Sequence, residues 1–478
     1  MLSFQSFRKN EIVIPVLLSF IAVFLSIVIA RGRISPSLLI YAMLGLLGTV
    51  FVNRLKLWVF VVVLLFPVRD LALFTIGRAN IRIGDVAILM ALVWLVLQIE
   101  MRPILWRILR NQLTKLLIFF VLAVFISSFW SYSFSYSLIR TIKLARAFFI
   151  FFFLATALTY DWKRYSGQLL LGIAVGMLAL NATWVYSAVQ GGGIEVLQEF
   201  DELTSKTIPT EFRNTGRGLL ATFGAKTVAL YVFFLIAYIP FIKSKLTNSV
   251  IILLFLSGLF VVVGSLFRSL MIGVFAGCLL IVLWSLFSNQ RSLFRIGSFV
   301  LVGLIAFNFF AYATGLFQLI LMRFSSAFNL SDGSVTLRLA FSQQLLSWWS
   351  ANYATMMFGI GPDSFIARTT YYVHNLYVQI LGEQGISGFL IFLAIQVVTF
   401  VEFFKGYRLV GICKDDKARW LLVVLISAHI SYMLISLAGS DFTEFNYWIT
   451  SSVIVAIHVY YRNVINKKFE LLPNTPQT

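Results

Sequence analysis

What most constrains this chain is the length of its apolar runs. Stretches such as "IPVLLSFIAVFLSIVIA" (14–30), "SVIILLFLSGLFVVVGSLF" (249–267) and "GFLIFLAIQVVTFVEFF" (388–404) recur along the sequence. Each approaches or exceeds the ~18 residues that carry a helix across the hydrocarbon core of a bilayer. Sixty per cent of the 478 residues are hydrophobic and only 12% are charged, whereas a soluble domain carries roughly a quarter charged residues. Backbone that enters lipid must satisfy its own hydrogen bonds, so such runs fold as helices. The fold class expected is therefore all-α: a polytopic integral membrane bundle, with residues 1–478 forming a single membrane domain.

Fourteen spans are expected, at 11–30, 36–52, 57–75, 84–99, 115–131, 144–159, 167–188, 218–242, 249–266, 269–287, 296–314, 385–404, 419–438 and 445–461. Arg69-Asp70 interrupts the third, and the sixth is short. Arg8 and Lys9 precede the first, whose apolar core ends without a small-residue cleavage site, so it reads as a retained span. With the N-terminus inside, the cytoplasmic segments hold 22 Lys and Arg and the outer segments 15, which places both termini in the cytoplasm. Residue type divides more sharply than number. The inside carries 11 Arg and 11 Lys, the outside 13 Arg and 2 Lys. A guanidinium fork matches phosphate oxygens in pairs, as an ammonium cannot, so the outer face is expected to hold an anion site.

The formal charge of +19 could suggest nucleic acid, but in a chain of membrane spans it reads as cytoplasmic-loop bias, and no nucleic-acid partner is expected. Cys278 and Cys413 are far apart and form neither a disulfide nor a metal pattern. No Asp-x-Asp, metal-spaced His/Cys cluster, P-loop or Gly-x-Ser-x-Gly occurs, and neither metal nor cofactor is expected. A cytoplasmic nucleotide-sugar enzyme would need a nucleotide-binding domain that no stretch of this sequence suggests.

Two outer segments are long, 189–217 and 315–384, and polar residues concentrate in them. Within the second, "LSDGSVTLRLAFSQQLLSWWSANY" (330–353) reads as an amphipathic helix capped by Asp332 or Ser334, with Arg338 in its first turns. "FGIGPDSF" (358–365) reads as a turn with Pro362 opening the next helix, its amides free to face phosphate. In "YYVHNLYVQILGEQGISGFL" (371–390) a helix from about 374 would align Asn375, Gln379 and Glu383 in one polar stripe beside His374, ended by Gly382 and Gly385. His429 and His458 fall inside apolar runs and read as structural. His374 instead shares its loop with Arg323, Arg338 and Arg368, and imidazole is the natural base near neutral pH. Arg268, between two spans with almost no loop, needs an anionic or water-filled neighbourhood. Arg213 and Arg217 enter a span from the outside.

These residues carry a resemblance. The stretch 323–388 combines two arginines, a Gly-x-Gly turn, "HNLY" and "GEQGISG", and resembles the hallmark region of the O-antigen ligase and O-antigen polymerase family. "GSLFRSL" (264–270) is similar to that family's Ser-Arg at the start of a span, with Phe267 in the Ser position, and "IRIGDVAIL" (81–89) resembles a further segment. The resemblance implies a bacterial inner-membrane enzyme with its active site on the extracytoplasmic face. It would transfer a glycan with inversion and without metal, from an undecaprenyl-diphosphate-linked donor to a glycan or lipid-core acceptor. His374 would be the base. Arg268 and Arg338 would bind the diphosphate, with Arg323 and Arg217 as further candidates, and Asn375, Gln379 and Glu383 would support the site.

A polymerase that joins repeat units fits the many spans and large outer loop; a ligase that passes chain to lipid A-core is the alternative. A different class, a lipid-linked-oligosaccharide flippase or exporter, would hold its diphosphate in a central cavity. The expected spans offer few central charges for that, Lys226 foremost.

Overall fold

The computed structural model describes residues 55–64, 72–76, 79–82, 98–190, 225–241, 245–264, 268–287, 291–313, 333–439 and 445–470, with isolated positions between them. The spans expected at 11–30 and 36–52, all of the outer segment 189–217 after Gln190, Asp332, Arg217 and Arg323 lie outside the described residues. The chain gathers into two compact units. The first comprises Met1–Ala91, Lys163–Met271 and Ser298–Met322, the second Leu92–Trp162, Ile272–Gly297 and Arg323–Thr478.

In chain order the elements are α1 (Leu55–Leu64), β1 (Ala72–Ile76), β2 (Ala79–Arg82), α2 (Arg102–Arg110), α3 (Gln112–Ser127), α4 (Phe134–Tyr160), α5 (Trp162–Gln190), α6 (Ala225–Tyr238), α7 (Lys245–Gly264), α8 (Arg268–Leu286) and α9 (Arg291–Ala313). There follow α10 (Gly333–Trp349), α11 (Tyr353–Phe358), α12 (Ser364–Thr369), α13 (Leu376–Ile412), α14 (Asp416–Ile435) and α15 (Phe445–Glu470). Among the described residues, five stretches are long and apolar enough to cross a membrane: Gln112–Trp130, Phe134–Tyr160, Ser269–Leu286, Leu376–Ile412 and Asp416–Ala438. Shorter apolar helices run through Thr227–Ala237, Ser249–Val262 and Val300–Phe309.

The span expected at 57–75 is corrected. Helix α1 covers its first part, but Ala72–Ile76 pairs antiparallel with Ala79–Arg82, Phe74 opposite Ile81 and Ile76 opposite Ala79. Phe, Thr and Ile favour extended backbone and only two residues, Gly77 and Arg78, connect the strands, so a hairpin replaces the end of the apolar run. The sixth span is longer than its apolar core of 144–159, because α4 begins at Phe134 and takes in Arg140 and Arg146, both buried.

Within the second unit α13 is the central element, packed against α3, α14, α15, α10 and α11, while α4 packs on α3 and α15. One end of this unit collects the segments that the sequence assigns to the cytoplasm. Arg107 Nη1 donates to Asn463 Oδ1 at 2.7 Å, Tyr160 Oη to Glu100 Oε2 at 2.8 Å and Tyr461 Oη to Asp415 Oδ2 at 2.5 Å. Glu402 joins them, held by His458, by Asn111 Nδ2 at 3.2 Å and by Lys405 Nζ at 3.9 Å. Midway, His429 Nε2 lies 2.8 Å from Gln396 Oε1. Glu402, His458, Gln396 and His429 are all buried, and each has a partner on another helix.

Candidate active site

At the opposite end of α13, α10 to α12 form a cap with its own small core. Leu345, Ile360, Phe365 and Val373 are buried together, with Phe341, Trp348 and Val378 packed against them. The Arg368 guanidinium lies 4.7 Å from the Tyr132 ring centre and 5.0 Å from that of Trp348, a cation–π arrangement. Helix α11 starts on a reciprocal cap, in which Asn352 Oδ1 accepts from the Thr355 amide and Thr355 Oγ1 from the Asn352 amide.

The Gly-x-Gly turn and the Glu-x-Gly sequence of α13 are two halves of one joint. Gly385 breaks α13 with φ 70° and ψ −174°, which frees carbonyls in the preceding turn. Ile360 N donates to Gly382 O and Gly361 N to Glu383 O, both at 3.0 Å. The backbones approach so closely that a Cβ on Gly359 (φ 80°) would stand 2.1 Å from Glu383 O, and one on Gly385 2.4 Å from Met357 O. Only glycine combines that φ with that clearance. The joint overturns two expectations. The amides of Ile360 and Gly361 are spent on carbonyls of α13 and that of Asp363 on Glu383, so none of the three is free for a phosphate. Pro362 does not open the next helix either, since Asp363 takes a left-handed conformation (φ 55°) and α12 starts at Ser364.

A charged cluster, unforeseen from the sequence, lies beside this joint. Arg140 Nε on α4 is 3.4 Å from Asp363 Oδ1. Glu383 sits in the field of both and accepts hydrogen bonds from the Asp363 amide and from Gln379 Nε2, the latter at 3.0 Å. Arg140, Asp363, Gln379 and Glu383 are all buried. Serines complete the seam: Ser127 Oγ donates to Glu383 O at 2.9 Å, Ser137 Oγ to Pro362 O, and Ser131 Oγ lies 3.0 Å from Ser364 Oγ. Two signals could have pointed here. Arg140, Lys143 and Arg146 recur every three residues as an apolar run begins, and Asp363 is an acid inside a Gly-Pro turn.

His374 is exposed and holds a left-handed backbone, φ 56°. That conformation costs an ordinary residue about 1–2 kcal/mol, and such outliers gather at functional sites. Asn375 follows as the N-cap of α13, its Oδ1 accepting from the amides of Tyr377 and Val378 at 3.1 Å. Of the expected stripe, Asn375 lies just outside the helix as its cap, while Gln379 and Glu383 are bonded to each other inside it. Arg338 is half-buried on α10. Arg268 is the first residue of α8, and its side chain lies outside the described set. Among the described residues, no three His, Cys, Asp or Glu side chains cluster as metal ligands.

Residues 250–393 match the family model described as O-antigen ligase. This stretch is similar to an O-antigen ligase domain. That domain, with the apolar helices around it, supports a membrane protein of O-antigen or polysaccharide assembly. It contains Arg268, Arg323, Arg338, His374, Asn375, Gln379 and Glu383, whereas Arg217 and Arg140 lie outside it. No curated protein matches the chain.

Proposed function

We propose that the protein is an extracytoplasmic glycosyltransferase. It moves a glycan from an undecaprenyl-diphosphate-linked donor to an acceptor hydroxyl by a single inverting displacement. His374 takes the proton of the acceptor hydroxyl as its oxygen bonds to the sugar C1, while the bond from C1 to the diphosphate oxygen breaks. The leaving diphosphate gains charge that preplaced guanidinium groups stabilise. Arg268 and Arg338 are assigned that role, with Arg323 and Arg217 as further candidates, each on its sequence position. Gln379 and Glu383 support the base indirectly by stiffening the start of α13.

The observation that carries this reading is His374 itself. Within the O-antigen ligase domain, an exposed imidazole stands on a left-handed residue, between the packed cap and the capped start of α13. A solvent-facing base on a firmly held backbone suits proton abstraction from an incoming hydroxyl.

The acceptor separates the two forms of this reaction. The many expected spans and large outer loop favour a polymerase, and the description of the matched family favours a ligase. Purified protein in liposomes, given the lipid-linked donor with and without lipid A-core, tests both. A ladder of repeat units from donor alone identifies the polymerase, and product only with the lipid core identifies the ligase. Absence of transfer under both conditions, with donor bound, contradicts the proposal.

A further inference from the structure

The segment 364–382 carries His374 near its middle, and the residues bordering it are both carboxylates. Asp363 precedes it and Glu383 follows it, and both lie in the field of Arg140, which is only 3% exposed. A buried Arg140–Asp363 ion pair beside a buried Glu383 is a demanding arrangement. Removing the one cation would leave the Asp363 carboxylate buried beside Glu383 without its counter-charge. The surrounding bonds tie the same points together, because Ser137 on α4 holds Pro362 and Ser127 on α3 holds the Glu383 carbonyl.

We propose that Arg140 is a positioning residue for the transfer reaction: by holding Asp363 and Glu383 together it fixes both ends of the segment that presents His374. Arg140 need not touch donor or acceptor to do this. It docks the turn at 359–363 onto the break in α13, and the strained His374 backbone is the product of that docking. The inference rests on His374 being the base, but the docking itself does not. Misplacing a catalytic group by about 1 Å can cost about 10²-fold in rate. The effect therefore belongs in turnover rather than in donor affinity.

The test uses full-length protein in detergent. A cysteine replaces Ser364, which is 1% exposed and hydrogen-bonded to Tyr132 N at 3.2 Å, so its labelling by N-ethylmaleimide reports undocking whatever the chemistry. Cys413→Ser removes the background thiol that is not buried. In the Ser364→Cys background, Arg140→Gln is expected to speed labelling at least about tenfold, with Arg140→Lys between it and the parent. With Ser364 intact, Arg140→Gln is expected to lower turnover by about 10²-fold while undecaprenyl diphosphate binds within about twofold of wild type. The double variant Arg140→Gln/Asp363→Asn should be no worse than Arg140→Gln alone, because both remove one interaction. If Arg140→Gln is not recovered folded, Asp363→Asn carries the same measurements, since asparagine tolerates the left-handed conformation.

Unchanged labelling overturns the proposal. So does activity lost through weaker diphosphate binding at constant turnover, which would make Arg140 a ligand. Fast labelling in Arg140→Gln together with a fully active His374→Ala leaves the docking in place and refutes the role of His374. Failure of the two readings is thereby distinguishable.

Discussion

Gly359→Ala attacks the joint at its tightest point, and its cost can be worked from the geometry. A left-handed alanine costs about 1–2 kcal/mol. The new Cβ would meet Glu383 O at 2.1 Å and Gln384 N at 2.4 Å. Both are backbone atoms, so no side-chain rotation relieves the clash and the turn must lift away from α13. That breaks the bonds from Ile360 and Gly361 to the Gly382 and Glu383 carbonyls, worth about 0.5–1.5 kcal/mol each. The sum is about 2–5 kcal/mol, and a central value near 3 corresponds to roughly 10²-fold in an opening equilibrium. Amide hydrogen exchange across 355–365 in purified protein reads that equilibrium directly. Gly167→Ala is the control, since nothing lies within 4 Å of its added Cβ and alanine favours a helix by up to about 1 kcal/mol. Exchange in Gly359→Ala as slow as in wild type would refute the reasoning about the joint.

Asn375→Ala should loosen the first turn of α13 by about 1 kcal/mol, while Asn375→Asp retains the cap, both read by exchange at 376–379. If Asp fails as badly as Ala in transfer but not in exchange, Asn375 contacts substrate as well as capping. Arg268→Ala and Arg338→Ala should each weaken binding of undecaprenyl diphosphate, with Lys rescuing partly because it lacks the paired fork. Unchanged affinity in both, and in Arg323→Ala, removes the arginine assignment. A cysteine replacing Tyr353, 86% exposed on α11, should react with a membrane-impermeant maleimide added to intact cells. Reaction only after the membrane is opened would place α11 and the cap on the cytoplasmic side.

Much of the helical frame was legible because lipid imposes it. Runs such as 115–131, 269–287 and 419–438 match α3, α8 and α14 to within a few residues, since apolar length alone decides them. Where a run includes charge, that rule fails. Arg140 precedes the expected span 144–159, yet lies buried inside α4, where Asp363 compensates its charge. The run through 57–75 failed for a different reason: its last residues find a strand partner at Ala79–Arg82, and hydropathy does not distinguish the two outcomes.

The candidate site was half legible. The Gly-x-Gly and Glu-x-Gly elements stood out, and His374 was singled out by its company. Their docking depends on residues 359–361 meeting 382–385 across α12 and the first turns of α13, a pairing that no local spacing encodes. Free amides were a fair reading of a glycine turn taken alone, and the broken turn of α13 is what occupies them. Arg140 and Asp363, more than two hundred residues apart, show the same limit. Buried charges are legible only in pairs, and the sequence presents them singly.

The central claim is that His374 abstracts the acceptor proton, and single-turnover transfer by purified His374→Ala tests it most directly. The account predicts a protein with wild-type melting and wild-type affinity for undecaprenyl diphosphate, whose transfer rate falls by about 10²–10⁴-fold, the range for loss of one general base. A folded His374→Ala protein that binds donor and transfers it at a near-normal rate would contradict the account.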